Sequence, residues 1–190
     1  MRKQVIQIIE VALKAAGVLA TILLFLLICV VAYNVIARYL FNASSIGLEE
    51  LGWHLYAAVF LLAIPYAVYT DSHVRIDLIY EGRSDQYSII GIAGAIIFMI
   101  PFALVTLYYG WIFAAQAMSY GPQPESIGDF WNQFITDGIG EKSQDPGGLN
   151  NRFIIKSVIP ISAFLLFLAG VCNILKLTDA GATEASASAS

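Results

Sequence analysis

Charge is scarce in this chain. Only 13% of its 190 residues are Asp, Glu, Lys or Arg against 58% hydrophobic, and the mean hydropathy is +0.73. A soluble domain carries about 25% charged residues, and one of this length cannot hide so much apolar surface in a single core. The net charge of −4 is modest and falls mostly in connecting segments, so it leaves no footprint for nucleic acid or another polyanion. Histidine and cysteine are nearly missing. His54 and His73 stand alone, while Cys29 and Cys172 lie inside apolar runs without metal-ligand or redox spacing. The chain has no Gly-rich phosphate loop with Lys, no HExxH and no CxxC, which speaks against an ATPase or a metalloenzyme. No catalytic residue, metal or cofactor is expected.

What fills the chain is four long apolar runs, at about 15–38, 49–69, 88–111 and 153–175. A hydrocarbon core about 30 Å thick needs about 20 apolar residues in a helix. Lipid offers backbone amides no partner, so only helices or closed barrels cross it. A barrel strand alternates apolar and polar residues, whereas LATILLFLLICVVAY and GIAGAIIFMIPFALVTLYYG are apolar on every side. The expected fold is an all-α membrane protein: four transmembrane helices in one domain over 1–178, followed by a small-residue tail, 179–190, expected to be disordered. The first run has no small-residue cleavage site after it and three spans follow, unlike an export signal.

Basic residues suggest the orientation. With the N-terminus inside, the inner segments hold Arg2, Lys3, Lys14, Arg75, Arg83 and Lys176, and the outer ones Arg38, Lys142, Arg152 and Lys156. The segment 112–152 is acidic, with Glu125, Asp129, Asp137, Glu141 and Asp145, which fits an outer loop. The expectation is N-in, C-in. Residues 1–14 place Val5, Ile8, Ile9, Ala12 and Leu13 at helical spacing opposite Arg2, Lys3, Gln7, Glu10 and Lys14, read either as a surface-lying lead-in or as a plain extension of the first span. In 112–152, Phe130, Trp131 and Phe134 fall on one side of a short helix between Pro122, Pro124 and the Asp145-Pro146-Gly147-Gly148 turn, the pattern of an ordered outer lid.

The spans have scarcely any ionisable residue near their centres, where an ion or solute path would need them, and no internal repeat. The informative charges sit at span ends. Arg38 ends the first span, Glu49 and Glu50 open the second, and an Arg38 pair with either glutamate is expected, with Lys156 as a competing partner. His54 lies one turn after Glu50 and reads as a satisfied interfacial histidine. Gly91, Gly94, Ala95, Ala169 and Gly170 are candidates for tight helix contacts. Trp53, Trp111, Trp131 and the tyrosines near span ends read as interface anchors.

A first span ending in Asn34-x-x-x-Arg38-Tyr39, then Glu49 and Glu50, then TDSHVRIDLIY, resembles the small membrane subunit (DctQ family) of tripartite ATP-independent periplasmic (TRAP) transporters. His73 to Asp77, with Arg75 between them, is similar to that family's His-x-x-x-Asp signature, and the resemblance covers all four spans in order. It implies a non-catalytic subunit in the bacterial inner membrane that scaffolds a large membrane subunit. That partner would carry an organic acid, of carboxylate or keto-acid type, inward with sodium after a periplasmic binding protein delivers it. Arg38, Glu49, Glu50, His54, His73, Arg75, Asp77 and Lys156 are then structural or interface candidates. The partners are the large subunit, transiently the binding protein, and membrane lipid, with no nucleic acid. The competing readings are a small membrane enzyme or redox subunit built on Glu49, Glu50 and His54, and a homo-oligomeric channel, which would need a polar stripe along a span.

Overall fold

Five α-helices make up the regular structure of the computed structural model, which describes residues 2–70, 72 and 93–188: α1 (Arg2–Phe41), α2 (Ile46–Tyr69), α3 (Ile100–Ser119, entered through a π-helical turn at Ala95–Met99), α4 (Ile127–Ile135) and α5 (Phe153–Ser188). Among these residues there is no β-strand. Four helices are long and apolar enough to cross a membrane: Arg2–Phe41, Ile46–Tyr69, Ile96–Ser119 and Phe153–Lys176. The chain is an all-helical membrane protein.

The spans form an open row. α1 packs on α2, α2 on α5 and α5 on α3, and α1 reaches α5 across the row; among the described residues α3 touches neither α1 nor α2. α5 therefore has neighbours on both sides and is the most buried span. Burial along α1 stops at Ala20, and the rest of the helix leaves Ile22, Phe25 and Ile28 more than half exposed. No hydrophobic force drives apolar helices together in lipid, so close contact relies on small residues. The α3 face against α5 shows this: Ala103, Gly110, Ala114 and Ala117 are its buried residues. A Cβ on Gly110 would stand 3.0 Å from Ile159 Cγ2, and one on Gly17 would stand 2.7 Å from the Tyr66 ring. Of the small residues singled out by sequence, Gly170 faces Met99 and Ala169 is fully buried, but Gly94 has open space around it, and Gly91 lies outside the described residues.

Prolines are tolerated where another group takes the freed carbonyl. Pro65 in α2 has no N–H for the Leu61 carbonyl, and the buried Ser162 hydroxyl of α5 donates to it at 2.5 Å. Asn173 Nδ2 of α5 donates to Val68 O, in the last turn of α2, at 3.2 Å.

One of the two readings of residues 1–14 is decided, and two helix extents differ from the sequence reading. Residues 1–14 are not a separate surface helix: α1 runs unbroken from Arg2, burying Ile9 and Leu13 against Ala169 and Cys172 of α5, with Val68 and Tyr69 of α2 alongside. Lys176 pairs with Glu10 at 2.8 Å over the Tyr69 ring, and Arg2 donates to Leu175 O at 2.7 Å. These contacts explain why the amphipathic pattern belongs to protein packing. α3 continues about two turns past Trp111, because IFAAQAMS keeps good helix formers, and it stops before Gly121, at φ +78°, and Pro122. The described helix α5 also runs through 179–188, where a disordered tail is expected; alanine-rich sequence holds a helix readily even when it can bury no core.

Candidate functional site

No charged residue lies between Lys14 and Arg38 in α1, between Glu50 and Tyr69 in α2, anywhere in α3, or between Lys156 and Lys176 in α5. At the helical rise, the 20-residue interval from Lys156 to Lys176 measures about 30 Å, the thickness of a hydrocarbon core. The charged groups thus form two levels. One holds Glu10, Lys14 and Lys176; the other holds Glu50, Lys156 and the α3–α5 connection, and of the sequence-predicted residues Glu50, His54 and Lys156 make contacts there.

Glu50, in the first turn of α2, is the tie. Its half-buried carboxylate accepts from Ser143 Oγ at 2.6 Å and from the Leu149 backbone N–H at 2.7 Å, clamping the Asp145-Pro146-Gly147-Gly148 turn onto α2. Arg38 does not take part. Among the described residues it pairs with neither Glu49 nor Glu50; its exposed guanidinium lies 5.2 Å from the centre of the Tyr39 ring. The expected hairpin ion pair is corrected on this point: the loop's own donors reach Glu50, while Arg38, in the last turn of α1, is exposed. Glu49 is exposed. His54 is half-buried, and its Nδ1–H donates to the Glu50 backbone carbonyl at 2.6 Å, the satisfied histidine expected from the spacing. Lys156 pairs with Glu141, not with Glu49 or Glu50, and lies over the Phe113 ring at 4.2 Å. His73, Arg75 and Asp77 lie outside the described residues.

Sequence reasoning missed Asn151. Its Oδ1 accepts from Ile139 N–H at 2.6 Å and its Nδ2 donates to Phe134 O at 3.0 Å, so one side chain joins α4 to the start of α5. Asn151 sits at φ +58°, a left-handed conformation that Asn tolerates better than most residues, and the Asn150-Asn151 pair was the available signal. Ile139 beside it is fully buried. Gly140, at φ +70°, lies so close to α3 that a Cβ would meet Ala117 O at 2.5 Å, and the next residue, Glu141, donates its N–H to that carbonyl. α4 opens with Ser126, whose hydroxyl accepts from Asp129 N–H at 3.1 Å and donates to the Asp129 carboxylate at 2.7 Å. Phe130, Trp131 and Phe134 pack together on one side of it, the two phenylalanine rings stacked and Trp131 edge-on to both, with ring centres 5.6 to 6.2 Å apart.

This geometry is architectural. Glu50 is occupied by loop donors and His54 by a backbone carbonyl, which leaves the enzyme reading of that trio without support. No group of three or more His, Cys, Asp or Glu able to hold a metal occurs among the described residues. No curated protein matches the chain. The model of the DctQ component of tripartite ATP-independent periplasmic transporters, a non-catalytic family, matches residues 27–180, from the middle of α1 through all four spans, and the chain belongs to that family as the small membrane subunit of a TRAP transporter.

Proposed function

We propose that this subunit braces the large membrane subunit of its transporter and offers no solute path of its own. The large subunit would move an organic acid, of carboxylate or keto-acid type, inward with sodium, after a periplasmic protein hands it over. The site of action is the bacterial inner membrane, with both termini inside and the α3–α5 connection outside, an orientation supported by the basic-residue bias and by the acidic connection.

The observation that carries this reading is the single row of spans. A row has two broad faces, both apolar here, with large side chains such as Phe25, Phe60, Phe98 and Phe102 more than half exposed. An uncharged interior in every described span offers no relay for ions. Such a plate suits lining a partner better than enclosing a path. Reconstituted alone in liposomes, the chain is expected to show no sodium-dependent uptake of organic acids, and co-expressed with its large subunit it is expected to co-purify with it. Uptake by the isolated chain, or failure to retain the large subunit, would refute the bracing role. Deleting 123–142, with assembly and uptake both measured, tests whether α4 and its flanks contact the large subunit or the docking protein; unchanged values for both would remove that role.

A further inference from the structure

A cleft of about 500 Å³ opens where the last turns of α3 meet the return of the connection into α5. Three of its lining side chains are cations, Lys142, Arg152 and Lys156, against one carboxylate, Glu141. Glu141 is taken by Lys156, and among the described residues neither Lys142 nor Arg152 makes a contact ion pair, although the Arg152 charge acts on Glu50 from a distance. Glu50, the nearby acid outside the lining, already accepts from Ser143 and Leu149. The first turn of α5 adds the positive end of a long helix dipole beside Arg152. The cleft is thus electropositive, and two of its cations have hydrogen bonds to give.

Its other wall is apolar. Phe113 and Tyr120 of the α3 C-terminal region are 45% and 61% exposed, continuous with the face of α3 that carries Tyr109 and Phe102 into the membrane. Lys156 stands about 30 Å from the charged level at Lys176, which sets the cleft at the boundary where phosphate groups meet acyl chains. A soluble anion would use the cations but has no need of the apolar wall; a phospholipid uses both.

We propose that this cleft holds the phosphodiester of an anionic phospholipid, with Lys142 and Arg152 donating to its oxygens and an acyl chain lying along Phe113 and down α3. The bound lipid fills the seam between α3 and the connection that Glu50 and Asn151 hold in place. The test uses the full chain, delipidated in detergent, with native mass spectrometry and thermal unfolding as readouts. Phosphatidylglycerol is expected to be retained and to raise the unfolding temperature, phosphatidylcholine to be retained about tenfold less, and the K142Q/R152Q double variant to lose that preference. K142Q alone, on an exposed side chain outside every structural contact described above, is expected to lose part of it with unchanged helicity, so misfolding cannot mimic the result. Equal retention of the two lipids, or a double variant that still prefers phosphatidylglycerol, overturns the site. Stabilisation by inorganic phosphate equal to that by phosphatidylglycerol identifies a soluble-anion site and overturns the lipid assignment.

Discussion

Removing the Ser162 hydroxyl tests how the row is held inside the membrane. Ser162 is 6% exposed, and its bond to Leu61 O serves a carbonyl whose ordinary donor would be the N–H of residue 65, which proline lacks. Interhelical hydrogen bonds in membranes are worth about 0.6 kcal/mol on average and about 1.7 at most. A buried carbonyl left without any partner costs about 1 to 3 kcal/mol. Ser162→Ala does both, so a loss of about 1 to 2 kcal/mol is expected. Pro65→Ala supplies an N–H to Leu61 O from within α2, and in that background Ser162→Ala should cost close to nothing. Pro65→Ala itself loses packing, because the ring is fully buried, but that loss cancels in the cycle. The assay is reversible unfolding in detergent or bicelles of the wild type, both single variants and the double variant. Equal cost of Ser162→Ala in the two backgrounds would refute the claim that Ser162 stands in for the missing N–H.

Other contacts carry their own tests. Gly17→Ala pushes a methyl into the Tyr66 ring and should destabilise the α1–α2 pair by about 1 to 3 kcal/mol in thermal unfolding, with much of the loss recovered when Tyr66→Ala is added. Gly110→Leu should loosen α3 from α5, read as reduced cross-linking between cysteines introduced at the two helices. Glu50→Ala should raise hydrogen exchange at the Leu149 amide, whereas Glu50→Gln, which keeps an acceptor oxygen, should raise it less. Asn151→Ala should open 137–150 to proteolysis while leaving the spans folded; an unchanged cleavage rate would show that the Ile139 and Phe134 bonds do not hold the connection.

The spans were legible because lipid imposes one solution on the backbone: about 20 apolar residues with every amide bonded inside the helix. The row was not. Leu, Ile and Phe are as comfortable against lipid as against another helix, so residues such as Phe25 and Leu168 carry no mark of which they face. The marks that do exist are small or odd residues. Gly110 and Ala114 report the α3–α5 contact, and Ser162 opposite Pro65 reports α2–α5; each makes sense only once the partner helix is known. The end of α3 was misplaced for a similar reason. Trp111 has the chemistry of an interface anchor, but it sits on a helix that keeps its periodicity to Ser119, and only Gly121-Pro122 carries a true stop signal.

At the polar end of the row, charge alone misled and hydrogen-bonding capacity decided. Opposite charges at the ends of adjacent spans invite pairing, yet at a wet boundary an exposed pair gains little. Glu50 instead meets two donors, a serine hydroxyl and a backbone N–H, flanking a turn in which Pro146 fixes one φ and Gly147, at φ +84°, permits the left-handed step. Lys156 follows the same logic, since Glu141 is held beside it by a backbone bond to Ala117 O. Glu50 and Glu141 are therefore spent on the geometry of the connection, while Lys142 and Arg152 make no contact ion pair among the described residues, Arg152 acting on Glu50 only through its charge. The connection as a whole is acidic, but the cleft it forms with α3 and α5 concentrates three bases against one acid, and it is this local excess that the proposed anionic headgroup would meet.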